Sequence, residues 1–166
     1  MPLIDPFIAE FKQESATTRN VLAVCPEAAF GWKPHEKSMA LGQLAQHITE
    51  IPTWITMTLT STELDLAAGD QKRVELKTTN DLLAAFDKNV ADATKQMQST
   101  QDKDLSVDWT LRAGPKVILT LPRIAVLRSW CFNHWYHHRG QLSVFLRLQN
   151  VPLPSVYGPT ADNPNM

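Results

Sequence analysis

Two histidines four residues apart, His134 and His138, interrupt a stripe that is otherwise apolar: Ile124, Leu127, Cys131, Leu142, Phe145 and Leu148. On an α-helix such positions lie about 40° apart around the axis, so both imidazoles point the same way and can share one ion. Burying two neutral rings without partners is costly, and a metal ion gives both a partner at once. A third imidazole, His47, lies beside Leu44, Ile48 and Ile51 in a second apolar stripe. Three histidines from two helices leave coordination positions open for water or substrate. That is the pattern of catalytic zinc, and imidazole also suits nickel and iron. A single inward histidine is most often a hydrogen-bonded core residue. The i, i+4 pair is what moves the balance towards a metal.

Several neighbours bear on this chemistry. Glu50, three residues after His47, is the one candidate catalytic residue, as a general base or as a support for a ligand. Cys131, one turn before His134, is either a fourth ligand or a small apolar filler. His137 competes as an i+3 partner of His134 but falls off the stripe, and His35 sits in a proline-flanked loop. Ser15 and Thr18 interrupt the stripe of the first helix, either facing the metal cavity or relieving crowding. Arg128 and Arg139 point away from the stripe of the last helix, which argues against direct service of either to the metal pocket.

The elements that must position these residues follow from periodicity and stop signals. Asp5-Pro6 starts a first helix whose face reads Ile4, Ile8, Phe11, Ser15, Thr18, Leu22 and Cys25, and Pro26 ends it. Ser38 caps a second, with Leu41, Leu44, Ile48, Ile51, Ile55 and Leu59 inward and a kink expected at Pro52. The polar stretch over residues 61–79 reads as irregular. Thr79 caps a third helix with Leu83, Phe86, Val90, Ala93 and Met97. Alternation around Ala113-Gly114-Pro115 predicts a short hairpin. Thr120 and Pro122 open the fourth helix, which ends near Asn150. The proline-rich tail is predicted to pack as an extended strap. The expected architecture is an all-α four-helix bundle, up-and-down with a long crossover, carrying a short β-hairpin-like insertion before the last helix, in one domain over residues 1–166.

Trp130, Phe132, Trp135 and Tyr136 make the fourth helix apolar nearly all round, so they are expected to surround the site. The hairpin, the tail or a homodimer interface would cover the rest. Gly140, in mid-helix, is read as permitting close approach of a neighbouring backbone.

Composition narrows the function classes. The 166 residues carry a formal net charge of −1, with 43% hydrophobic and 20% charged residues. Lys and Arg are scattered singly, which argues against a nucleic-acid reader. No signal-peptide pattern opens the chain, and no apolar run reaches the ~20 residues of a membrane span. Two cysteines in helical context argue against a disulfide framework, and the cytoplasm is the expected compartment.

Three runs carry a family resemblance: FGWKPHEKSMALGQLAQHI over 30–48, WTLRAGPKVILTLPRIAVLRSW over 109–130, and NHWYHHRGQLSVFLRLQNVPLPSVYGPTAD over 133–162. Together they resemble the DinB-like family over most of the chain. The resemblance implies a four-helix bundle holding a divalent ion, zinc or nickel, on three histidines, and the matching positions are His47, His134 and His138. It also implies a homodimer and a small-molecule substrate. The activity expected is either that of a metal-dependent hydrolase or that of an S-transferase using a low-molecular-weight thiol such as bacillithiol or mycothiol. The family name refers to induction by DNA damage and implies no DNA binding. The competing function is non-catalytic, with the ion bracing the bundle of a binding or stress-related protein. A ferritin-like di-iron centre is disfavoured, because no Glu-x-x-His pair is present at the required positions.

Overall fold

The computed structural model describes residues 1–69 and 74–164. The element order is α1 (Asp5–Ala23), α2 (Leu41–Thr60), β1 (Glu63–Asp65), α3 (Thr79–Ser99), a one-turn α4 (Asp102–Leu105), β2 (Asp108–Ala113), β3 (Lys116–Pro122) and α5. Helix α5 is continuous but composite: Arg123–Val126 is α-helical, Leu127–Phe132 is a π turn, and Asn133–Leu148 is α-helical again. Helices α1 and α2 each pack against α3 and α5. The two therefore stand diagonally, and residues 24–40 form the crossover that joins them. The expected helical bundle is present, and the sheet before its last helix is larger than the predicted hairpin.

The helices form where apolar residues recur at helical spacing, and their caps lie close to the predicted positions. Ala40, not Ser38, precedes α2, and its N–H donates to Gln43 Oε1 at 3.0 Å. Thr78, not Thr79, caps α3: its hydroxyl accepts from Asp81 N–H while its own N–H donates to the Asp81 carboxylate, a reciprocal pair that satisfies two end groups. Ile4 rather than Asp5 precedes α1, so Asp5 and Pro6 occupy its first turn. Pro52 lies inside α2 without ending it.

The core between the helices is aromatic at its centre. Trp135 lies 5.5 Å from Phe11 and 6.0 Å from Phe86 (ring centroids), and all three are buried. Burying each such side chain stabilises the fold by about 1.5–3 kcal/mol relative to exposure.

The π turn changes which residues of α5 enter this core. It spends one residue more than an α turn, which rotates every later side chain around the axis. Beyond Leu127 and Cys131 the buried row passes through Phe132, Trp135, Arg139, Leu142 and Leu146. The predicted stripe ran instead through His134, His138, Phe145 and Leu148. His134, His138 and Phe145 are only partly buried, and Leu148 is exposed. Gly140 is exposed, and a Cβ placed on it would meet nothing within 4 Å, so it serves no close backbone approach.

The predicted hairpin is β2–β3, turned at Gly114 with φ +58°, a left-handed conformation that glycine adopts without strain. A third strand, β1, pairs parallel with β2 inside the stretch read as irregular. The remainder of that stretch at residues 70–73 lies outside the described residues. Side chains hold β1 in place. Arg112 reaches the Glu63 carboxylate at 2.8 and 3.2 Å, and Asp65 Oδ1 accepts from the N–H of Gly114 at 2.8 Å and of Ala67 at 2.9 Å.

This small sheet ties the end of α2 to the start of α5. Trp109 is buried and donates to Ser61 Oγ at 3.1 Å, while Arg123 donates to the Ser61 carbonyl at 2.7 Å. The two helices that carry the three histidines are thereby fixed against each other. The tail is the predicted strap: Asp162 pairs with Arg147 and accepts from Leu153 N–H, and Tyr157 reaches Glu14 of α1. Among the described residues, no helix is long and apolar enough to cross a membrane.

Candidate metal centre

Helix α2 supplies His47, and the segment of α5 just beyond the π turn supplies His134 and His138. Their potential ligand atoms all lie within 4.8 Å of one another. The ring centroids are 5.2 Å apart for His47 and His134, 4.6 Å for His47 and His138, and 4.3 Å for His134 and His138. His47 Nε2 and His134 Nε2 face each other at 2.9 Å. Two nitrogens that are each ~2.0–2.1 Å from one tetrahedral zinc stand about 3.3 Å apart, so the donor set matches one small cation. All three rings are partly buried. They sit on the flank of the buried row, where a ligand can reach them, rather than within it.

The orientation of His138 is set from outside the triad. Its Nδ1 lies 2.8 Å from Gln141 Oε1. The amide oxygen only accepts, so Nδ1 carries the hydrogen and Nε2 presents a lone pair. Such outer partners fix the tautomer of a ligating ring. Sequence reasoning missed Gln141, whose signal was its i+3 spacing on the same helix face. Gln141→Ala is expected to weaken zinc affinity 10- to 100-fold with an unchanged far-ultraviolet circular dichroism spectrum, measured by competition with a zinc-sensitive dye.

Burial and neighbouring charge favour the neutral form of His134 and His138. Desolvation, with smaller contributions from His138 and His137, pulls His134 down to about 4. Desolvation also lowers His138, against the opposing hydrogen bond to Gln141. Neutral imidazole is the form that ligates a metal. For the metal-free protein this has a signed consequence. The unfolded chain takes up the His134 proton near pH 6.5, the folded chain only near 4. Stability is therefore fully present above pH 6.5 and is lost as the pH falls towards 4. Thermal melts of metal-free protein should show this descent, and His134→Gln should make it shallower.

Two tryptophans wall the triad. The rings of Trp54 and Trp130 stack at 5.5 Å with an interplanar angle of 17°. Trp54 lies 5.4 Å from His47 and 5.0 Å from His134, and Trp130 lies 5.6 Å from His134. Trp54 is seven residues after His47, two turns along the same face, and this spacing was its unread signal. The other aromatic residues of α5 do not surround the site. Phe132 packs against Phe7 and Phe11, Trp135 against Phe11 and Phe86, and the Tyr136 hydroxyl donates to Glu10.

The remaining sequence candidates divide sharply. Glu50 lines a cleft of about 600 Å³ that also contains His47 and Trp54, and its Oε1 accepts from Gln46 at 2.8 Å. Cys131 is fully buried next to Thr58 Oγ1, 3.8 Å away, and burial pushes its thiol up to about 12. It stands outside the histidine cluster as a core filler. Cys25 is also a free, buried thiol. His137 and His35 are exposed.

Ser15 and Thr18 do not face the triad. The Ser15 hydroxyl donates to the Phe11 carbonyl, and Thr18 Oγ1 accepts from Arg139 at 3.0 Å. Arg139 points away from the triad, as expected, but into the core rather than into solvent. It is 2% exposed and pairs with Glu14 at 2.6 Å. Arg128 also turns from the triad, to the Glu10 carboxylate, which it holds below the usual range of a glutamate.

The fold and the triad together define a class: helical bundles with three histidines converging from two helices onto one position that can hold a metal ion. The DinB family model matches residues 4–165, and the chain belongs to the DinB family. Two solved structures share the fold. A DinB-like protein from Bacillus subtilis superposes with a TM-score of 0.70 at 18% identity, covering 92% of this chain and 98% of that one. A DinB-like protein from Bacillus cereus gives a TM-score of 0.70 at 23% identity, over 91% and 95% of the two chains. No curated protein matches the sequence.

Proposed function

We propose that the protein is a metal-dependent enzyme acting on a small molecule, with one divalent ion, zinc or nickel, held by His47, His134 and His138. The observation that carries this reading is the convergence of three imidazoles, one of which, His47, lines an open cleft. A closed structural centre would want a fourth protein ligand. The nearest sequence candidate, Cys131, is buried against Thr58 instead. An ion at an open site supplies Lewis acidity and lowers the pKa of a bound water or thiol. The chain's own residues do the rest. Gln141 holds the His138 tautomer, the tryptophan pair excludes water from one side, and α2 presents Glu50 to the cleft as the candidate base.

Two reactions fit this arrangement: hydrolysis of a small substrate, with Glu50 accepting a proton, and transfer of a low-molecular-weight thiol to an electrophile. The deciding experiment uses protein purified without an affinity tag and loaded with zinc or nickel. It is assayed against ester and amide substrates, and separately against an alkyl halide in the presence of thiols. Turnover that disappears on chelation and returns on reloading supports the enzyme reading. Stoichiometric metal with no turnover in either assay favours an ion that braces the bundle. We further propose a homodimer as the assembly, to be tested by analytical ultracentrifugation.

A further inference from the structure

The cleft beside the triad is bounded by α2, by α3 and by Val74 and Leu76. Its volume of about 600 Å³ lies within the range of small-molecule sites. The hydrogen-bonding groups along its wall are largely engaged with the wall itself. Gln46 Nε2 donates to Glu50 and to the Val74 carbonyl, and Gln46 Oε1 accepts from Leu76 N–H. Asn89 Nδ2 donates to the Thr49 carbonyl, the Thr49 hydroxyl to the Ala45 carbonyl, and the Thr53 hydroxyl to the Glu50 carbonyl. Besides the Glu50 carboxylate and the His47 ring, what this wall offers a ligand is apolar surface: Trp54, Leu76, Val74 and Ala85. Trp54 is also a fixed surface, since it is stacked on Trp130 and wedged against two of the three histidines.

We infer that this cleft binds a planar apolar group, an aromatic ring or fused pair of rings, against the Trp54 indole. The substrate's reacting atom would then project towards the histidine triad. An aromatic pair in offset-stacked or edge-to-face geometry adds about two- to thirteenfold in affinity beyond burial, so a planar ligand is favoured over an aliphatic one of equal bulk. The inference rests on the metal-centre reading only for where the reacting atom lies. The preference for a planar group belongs to the cleft and is present with or without the ion.

The test is calorimetric titration of zinc-loaded and metal-free protein with two neutral probes of matched ring size, planar 2-naphthamide and its saturated analogue decahydronaphthalene-2-carboxamide. The expected result is a preference of about two- to thirteenfold for 2-naphthamide in both forms. Trp54→Leu should erase the preference, and Trp54→Phe should keep most of it. Because Trp54 touches two histidines, a second variant leaves it in place: Ala85→Trp fills the cleft from α3 and should weaken 2-naphthamide binding more than tenfold with the helical signal unchanged. The preference in metal-free protein supports the inference even where zinc fails to bind, so failure of the metal reading is recognised separately. Equal affinity for the two probes, or binding of 2-naphthamide unaffected by Ala85→Trp, overturns it.

Discussion

His138→Ala is expected to abolish stoichiometric metal binding while leaving the bundle folded. His138 sits on the flank of α5, so its removal opens no core cavity, and its hydrogen bond to Gln141 is local. The remaining pair, His47 and His134, offers two ligands where three converge in the wild type. The loss of zinc affinity should exceed the 10- to 100-fold typical of an outer-shell partner, and so exceed that of Gln141→Ala. Elemental analysis after dialysis reads the stoichiometry, and circular dichroism checks the fold. About one ion per chain in the wild type and none in His138→Ala is the expected pair of results. Wild-type protein that takes up neither zinc nor nickel on reconstitution would show the triad to be a hydrogen-bonded cluster. Retention of a full equivalent in His138→Ala would show that the ion sits elsewhere.

The second large effect lies on the opposite side of α5. Arg139→Met is expected to destabilise the protein by about 3–5 kcal/mol, because it leaves Glu14 buried with its charge uncompensated. Arg139 is 2% and Glu14 6% exposed. The guanidinium also donates to Thr18 Oγ1 at 3.0 Å and to the Glu14 carbonyl at 3.3 Å, and it reaches the Tyr157 hydroxyl. For a chain of this size each kcal/mol shifts the melting temperature by about 2–4 °C, so a fall of roughly 6–20 °C is expected. Adding Glu14→Leu should recover most of it, since replacing both partners of a buried pair by apolar groups is often neutral. Zinc stoichiometry should stay at the wild-type level in both variants. A shift below about 2 °C for Arg139→Met would mean that the pair is not buried in solution.

These two sites were unequally legible in the sequence. The histidines announce themselves because helical geometry is local: four residues bring two side chains to one face whatever the rest of the chain does. His47 was found by the same logic on α2. Arg139 was read correctly as facing away from the triad. Its burial was invisible, because its partner Glu14 lies 125 residues earlier on another helix. Nothing in the local pattern around Arg139 encodes that pairing. Strand β1 was missed for a related reason. Glu63–Asp65 is only three residues long, too short to show an alternating pattern, and it becomes a strand through backbone pairing with β2 and the side chains of Arg112 and Glu63.

The sequence by itself determined the four helices, the hairpin turn at Gly114 and the identity of the three histidines, since periodicity, capping residues and proline or glycine stops act within a few residues. The tertiary structure alone decided the phase of α5. The π turn at Leu127–Phe132 rotates His134 and His138 out of the buried row and places Trp135 and Arg139 there instead. A wider turn costs local hydrogen-bond quality, and it is kept where packing on several sides compensates. Here Cys131 and Phe132 within the turn are fully buried, and Trp130 stacks on Trp54. The rotation turns two core-pattern histidines into partly buried residues that meet His47, where the three together could hold a metal ion.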